Sequence, residues 1–160
     1  MSIEDNQATT LVQALIAHLD SVFEGPNGDY AAVLEALAGV SAKQALWKPA
    51  PTQNSIWQVV EHLTASKQWQ IDMLEHGQAA SPVWTEPSGD EAAWQAAIDR
   101  LKDAHRRLKA SVGRVPESRL LEIPAQEKST LLELVLSCAA AHEAHHGGQI
   151  DYLKGLQAAL

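Results

Sequence analysis

Three histidines fall within five residues near the end of this 160-residue chain: His142, His145 and His146. Histidine is the commonest metal ligand among side chains, so chemistry is sought here first. In a helix, His142 and His146 stand at i and i+4 and project from one face about one turn apart. At about 100° per residue, Leu131, Val135, Leu153 and Leu160 lie within about 20° of His142, and His146 about 40° away. Both rings therefore interrupt an apolar stripe. Two imidazoles in a core cost desolvation free energy unless each has a partner, and one metal ion partners both. A catalytic metal usually takes three protein ligands and keeps one position open. The third ligand is expected from a neighbouring helix, where His62 in Val59-Val60-Glu61-His62-Leu63 is the best candidate. Ser66, Trp69 and Met73 lie within about 40° of it on a helical projection. The apolar centre of that helix, Ile56, Val59, Leu63 and Leu74, is displaced to one side. His62 is thus expected at the edge of a core, lining a pocket.

The flanking residues sort by the same projection. His145 points about 60° off His142 on the other flank, and Gln149 lies about 20° from it. His145, Gln149 and Trp69 are the candidate pocket residues. Cys138, one turn before His142, is read as a small buried residue rather than a thiolate ligand. His105, among Lys102, Asp103, Arg106 and Arg107, is expected on a solvated face; His18 and His76 are read as structural or surface residues. His142-Glu143-Ala144-His145-His146 also matches the H-E-x-x-H signature of zinc proteases, in which Glu143 would be the general base. The extended form fails, because Gln149 and Tyr152 stand where it needs Gly and His. A general-base role for Glu143 in other chemistry stays open.

The elements that must position these residues are marked by helix punctuation. A helix is expected from about Ile3 to Glu24, stopped by Gly25-Pro26. Asp29 is expected to cap a short helix through Ala38, and Ser41 with Gln44 one more turn. Ser55-x-x-Gln58 reads as a capping box opening a helix to His76, with Gly77 as its stop. Ser88-x-x-Glu91 reads as the box of a third long helix ending near Gly113. Thr130-x-x-Glu133 opens a fourth, to about Gln157. Arg119 to Ile123 is the one strand candidate. Four long helices joined by connectors of more than ten residues predict an all-α, four-helix bundle, a single domain over residues 1–160.

Composition removes several functional classes. Twelve Lys and Arg against twenty Asp and Glu give a formal charge of −8. Such a chain has little to neutralise phosphates with, so neither nucleic acid nor an anionic membrane surface is an expected partner. One cysteine allows no internal disulfide. Acidic residues near Met1 and the lack of a long apolar run predict a soluble, cytoplasmic protein.

Ser55-Ile56-Trp57-x-x-x-Glu61-His62-Leu63, followed by His142-Glu143-x-His145-His146-x-Gly148-Gln149-Ile150-x-x-Leu153, resembles the DinB-like superfamily. The resemblance spans nearly the whole chain. It implies a four-helix bundle of unusual connectivity, typically homodimeric. Trp84 and Trp94, in and after the proline-bearing loop, are candidates for an interface or, equally, for packing inside. The resemblance also implies a metal triad on His62, His142 and His146 holding a divalent ion, zinc or nickel first. Members are often labelled metal-dependent hydrolases, and better-understood ones transfer low-molecular-weight thiols such as bacillithiol, mycothiol or glutathione. The implied function is therefore a metal-dependent enzyme acting on a small-molecule substrate. Transfer of a thiol cosubstrate to a small electrophile comes first, then hydrolysis, then a non-enzymatic metal-binding stress-response module.

Overall fold

The computed structural model describes residues 10–26, 28–84 and 86–159. Among them every regular element is helical and no strand occurs. α1, Leu11–Phe23, begins with a reciprocal cap: Gln13 N donates to Thr10 Oγ1 at 3.2 Å, and Thr10 N to Gln13 Oε1 at 2.9 Å. The part of this helix expected before Thr10 lies outside the described residues. α2, Val33–Leu37, takes its cap from Glu35, whose carboxylate accepts from Ala32 N at 2.9 Å. The cap expected from Asp29 is not used. α3, Ala42–Leu46, starts at Ser41 with Gln44 in return.

α4, Ile56–His76, opens on the Ser55–Gln58 box and ends at Gly77, whose φ of 70° is the left-handed conformation that glycine adopts freely. α5, Glu91–Arg114, starts at Asp90 rather than Ser88; Ala93 N donates to Asp90 Oδ1 at 3.0 Å. Glu91 instead accepts from Ala42 N at 2.9 Å, tying the start of α5 to the start of α3. The expected strand at Arg119–Ile123 is replaced by a single 3₁₀ turn, Glu117–Arg119, and a turn closed by Glu122 N donating to Arg119 O at 2.9 Å. Thr130 and Glu133 then box the start of the last rod. That rod runs without a break through α6, Leu131–Glu133, a π-helical segment, Leu134–Ala141, and α7, His142–Ala158.

Four long rods (α1, α4, α5 and the α6–π–α7 rod) pack on one another, and the core falls into two apolar halves. One half gathers Leu37, Trp57, Leu63, Trp94, Leu101 and Ile150. The other gathers Leu19, Ile71, Leu108, Val112, Leu131 and Val135. Along α4, α5 and the last rod the boundary between the halves falls at Lys67, His105 and Glu143, all buried. Trp94 is an inside residue: it is 1% exposed, and its Nε1 donates to Val40 O at 2.7 Å. Gly147 brings α7 against the chain before α2, since a Cβ there would stand 2.7 Å from Ala31 O. No helix among the described residues is long and apolar enough to cross a membrane.

Candidate metal centre

His62 is placed by the Ser55 cap, which starts α4 less than two turns before it. His142 and His146 are placed by the end of the π segment, where regular α-helical spacing resumes. The three rings meet across eighty residues of chain. His62 Nε2 lies 2.9 Å from His142 Nε2, and His146 Nε2 lies 3.0 Å from the same atom. All three rings are half-buried, and their pairwise centroid distances run from 4.4 to 4.9 Å.

A neutral imidazole nitrogen offers one in-plane proton or one in-plane lone pair. His142 Nε2 faces two such nitrogens and can satisfy only one by hydrogen bonding. A cation shared by three lone pairs satisfies all of them. Ligand nitrogens about 2.0–2.1 Å from zinc in a tetrahedral set lie about 3.3 Å apart, so the two observed separations are a few tenths of an ångström tighter than a zinc site. The protonation states fit as well. Burial pushes His62 and His146 below the usual histidine value. His142 is pushed down to about 4, first by burial and then by the neighbouring His146 and His62 rings. Neutral imidazole is the form that binds metals. Trp84 stands edge-on to the His62 ring, with centroids 4.8 Å apart.

The flanking residues divide into three roles. Gln149, a candidate pocket residue, holds the His146 ring: its Oε1 accepts from His146 Nδ1 at 2.8 Å, which leaves Nε2 as the lone-pair nitrogen. His145 is exposed and packs edge-on against His146, with centroids 5.0 Å apart. Trp69 does line a pocket, a mainly apolar cleft of about 290 Å³ with Ser66, Gln70, Pro82, Ser137 and His142 in its wall. The side chain of Cys138 lies outside the described residues.

His105 has different surroundings from those expected, and Glu143 has a partner that the spacing does not announce. His105 is 1% exposed, not solvated. Its ring stacks on Phe23 at 3.9 Å, Nδ1 lies 3.1 Å from Lys67 Nζ, and Nε2 lies 3.2 Å from Asp20 Oδ1. Glu143, the candidate base, is an ion-pair partner of Lys67, with both side chains shut from solvent. Burial pushes Glu143 up and Lys67 down, and each charge opposes the other's shift. The signal for this cluster lies in stripe position. Leu101, His105, Leu108 and Val112 recur at helical spacing, as do Leu63, Lys67, Gln70 and Leu74.

Asp20, Glu24 and His105 also bring potential ligand atoms together. That group already has a cation, because Lys109 Nζ sits 2.5 Å from Asp20 and 3.8 Å from Glu24. Lys67 donates to His105 Nδ1, which leaves the proton on Nε2 and no lone pair there for a metal. The histidine triad is therefore the metal candidate among the described residues.

Comparison with curated proteins and with solved structures returned no match in either case. Residues 28–150 match the sequence model of the DinB superfamily, and that span includes all three histidines. With three-quarters of its length matched and an all-helical fold that brings the histidines together, the chain belongs to the DinB superfamily.

Proposed function

We propose that His62, His142 and His146 hold one divalent ion, zinc or nickel, and that the protein transfers a low-molecular-weight thiol to a small electrophile. The observation that carries the metal reading is the approach of the His62 and His146 Nε2 atoms to His142 Nε2, at 2.9 and 3.0 Å. When bound, such an ion supplies Lewis acidity that lowers the pKa of a thiol or water beside it. Three protein ligands leave a position for that reactant. The cleft beside His142 supports a second reactant with an apolar body, which Trp69 and Pro82 would face. In the transfer, the thiol proton goes to solvent, sulfur bonds to an electrophilic carbon, and the leaving group departs with its electron pair. Glu143 is given no part in proton transfer, because Lys67 holds its carboxylate inside the core. A homodimer in the cytoplasm belongs to the same reading, and light scattering at tens of micromolar tests the dimer.

The test is a panel on zinc- and nickel-loaded protein. Bacillithiol, mycothiol and glutathione are each offered with an aryl chloride, and a nitrophenyl ester is offered without thiol. Thiol-dependent chloride release supports transfer. Ester cleavage alone replaces it with hydrolysis. Stoichiometric metal with neither turnover leaves a metal-binding module.

A further inference from the structure

We propose that Lys67 and Glu143 are positioning residues for the histidine cluster, an inference that rests on the metal reading above. Lys67 stands five positions after His62 on α4, and Glu143 comes directly after His142 on α7. The two helices therefore meet at two polar points, the imidazole cluster and the buried ion pair. A single point of contact would let one helix rotate or slide against the other; a second point fixes both. α7 needs such a fix, because the segment before it is π-helical and does not hand regular α-helical phase on to α7.

The ammonium is fully engaged. Lys67 Nζ donates to Glu143 Oε1 and to His105 Nδ1, and it sits 4.5 Å from the centroid of the Phe23 ring. His105 in turn reaches Asp20 on α1 at 3.2 Å, and Asp20 takes Lys109 of α5 at 2.5 Å. One polar layer thus links all four rods at the level where the two apolar halves of the core meet. An apolar pair of similar volume would hold a core at least as well, since burying two charges costs solvation that their attraction only partly returns. The ion pair adds directional registry, the best-attested use of a buried polar contact.

The test separates registry from stability. Lys67→Met with Glu143→Leu removes both charges together and leaves neither stranded. The apo variant is expected to melt close to the wild-type temperature, because relief of two buried charges offsets the donor lost to His105 Nδ1. Its zinc Kd by calorimetric titration is expected to rise at least tenfold, the effect of losing outer support for metal ligands. Its visible cobalt spectrum is expected to shift, which a purely structural pair would not cause. If that variant does not fold, Lys67→Met with Glu143→Gln takes its place with the same expectations. A folded variant with zinc Kd within twofold of wild type and an unchanged cobalt spectrum overturns the inference while leaving the metal site intact. Wild-type protein that takes up neither zinc nor cobalt overturns both readings.

Discussion

Gln149 Oε1 lies 2.8 Å from His146 Nδ1, and this contact decides which nitrogen of that ring faces the cluster. With the proton held on Nδ1, Nε2 presents its lone pair toward His142. Gln149→Leu frees the ring to change tautomer and orientation. Zinc affinity is expected to fall about tenfold, the lower end for a lost outer partner, with helical circular dichroism unchanged. Titration calorimetry reads it, and an unaltered Kd contradicts the role given to Gln149.

Gly147 and Gly148 are neighbours on α7 with opposite expectations. A Cβ at Gly147 would meet Ala31 O at 2.7 Å, a backbone atom that cannot swing aside, whereas a Cβ at Gly148 meets nothing within 4 Å. Gly→Ala in a helix interior gains about 1 kcal/mol from reduced backbone entropy. Gly148→Ala is expected to realise most of it. Gly147→Ala is expected to lose about 1–3 kcal/mol to overpacking and to weaken metal binding by displacing His146. Denaturant unfolding of the two variants settles the order.

Acid destabilisation is expected to begin near the ordinary histidine value of 6.5. Burial first, then the Lys67 charge, push His105 down to about 3. Lys109 adds to that, while Asp20 opposes it. An unfolded chain therefore takes up a proton at this histidine over a pH range in which the folded chain does not, and stability falls as pH drops from about 6.5 toward 3. At about pH 5 the cost is on the order of 2 kcal/mol, equal to a melting temperature lower by about 5 °C. In the metal-free protein the lowered values of His142, His62 and His146 steepen the same slope, so the His105 share is the difference between wild type and a His105 variant. His105→Gln keeps a polar side chain beside Lys67 and is expected to flatten the slope between about pH 5 and 7; an unchanged slope would remove His105 as its source.

Trp69 forms a wall of the cleft beside His142 and makes no hydrogen bond to the cluster nitrogens. For whichever substrate the panel identifies, Trp69→Ala is expected to raise KM roughly tenfold through lost apolar contact. Zinc Kd should stay within twofold, and kcat should change less than KM. A collapse of kcat at constant KM would place Trp69 in the chemical step instead.

The triad is legible in the sequence because His142 and His146 stand one turn apart on an apolar stripe, and His62 borders another. Helix starts are legible at Ser41, Ser55 and Thr130, where a side chain and its N3 partner reciprocate. The Thr10–Gln13 pair at the start of α1 reciprocates too, but is hidden by the sequence pattern that places the start near Ile3. At α5 two candidate caps compete, and the carboxylate of Asp90, adjacent to the first turn, takes the place of Ser88. The π segment leaves no trace in Leu134–Ala141, an apolar run that suits either helix type. It also breaks the phase on which a projection from Leu131 and Val135 to His142 relies. Lys67, His105 and Glu143 each look like an isolated anomaly on its own helix. Only the packing of three helices turns them into one network.

Metal content of the purified protein, loaded with zinc and freed of excess, tests the central claim most directly. About one ion per chain is expected in the wild type and little retained in His62→Ala, His142→Ala and His146→Ala, each still helical by circular dichroism. Full occupancy in all three variants, or none in the wild type, would contradict the metal site.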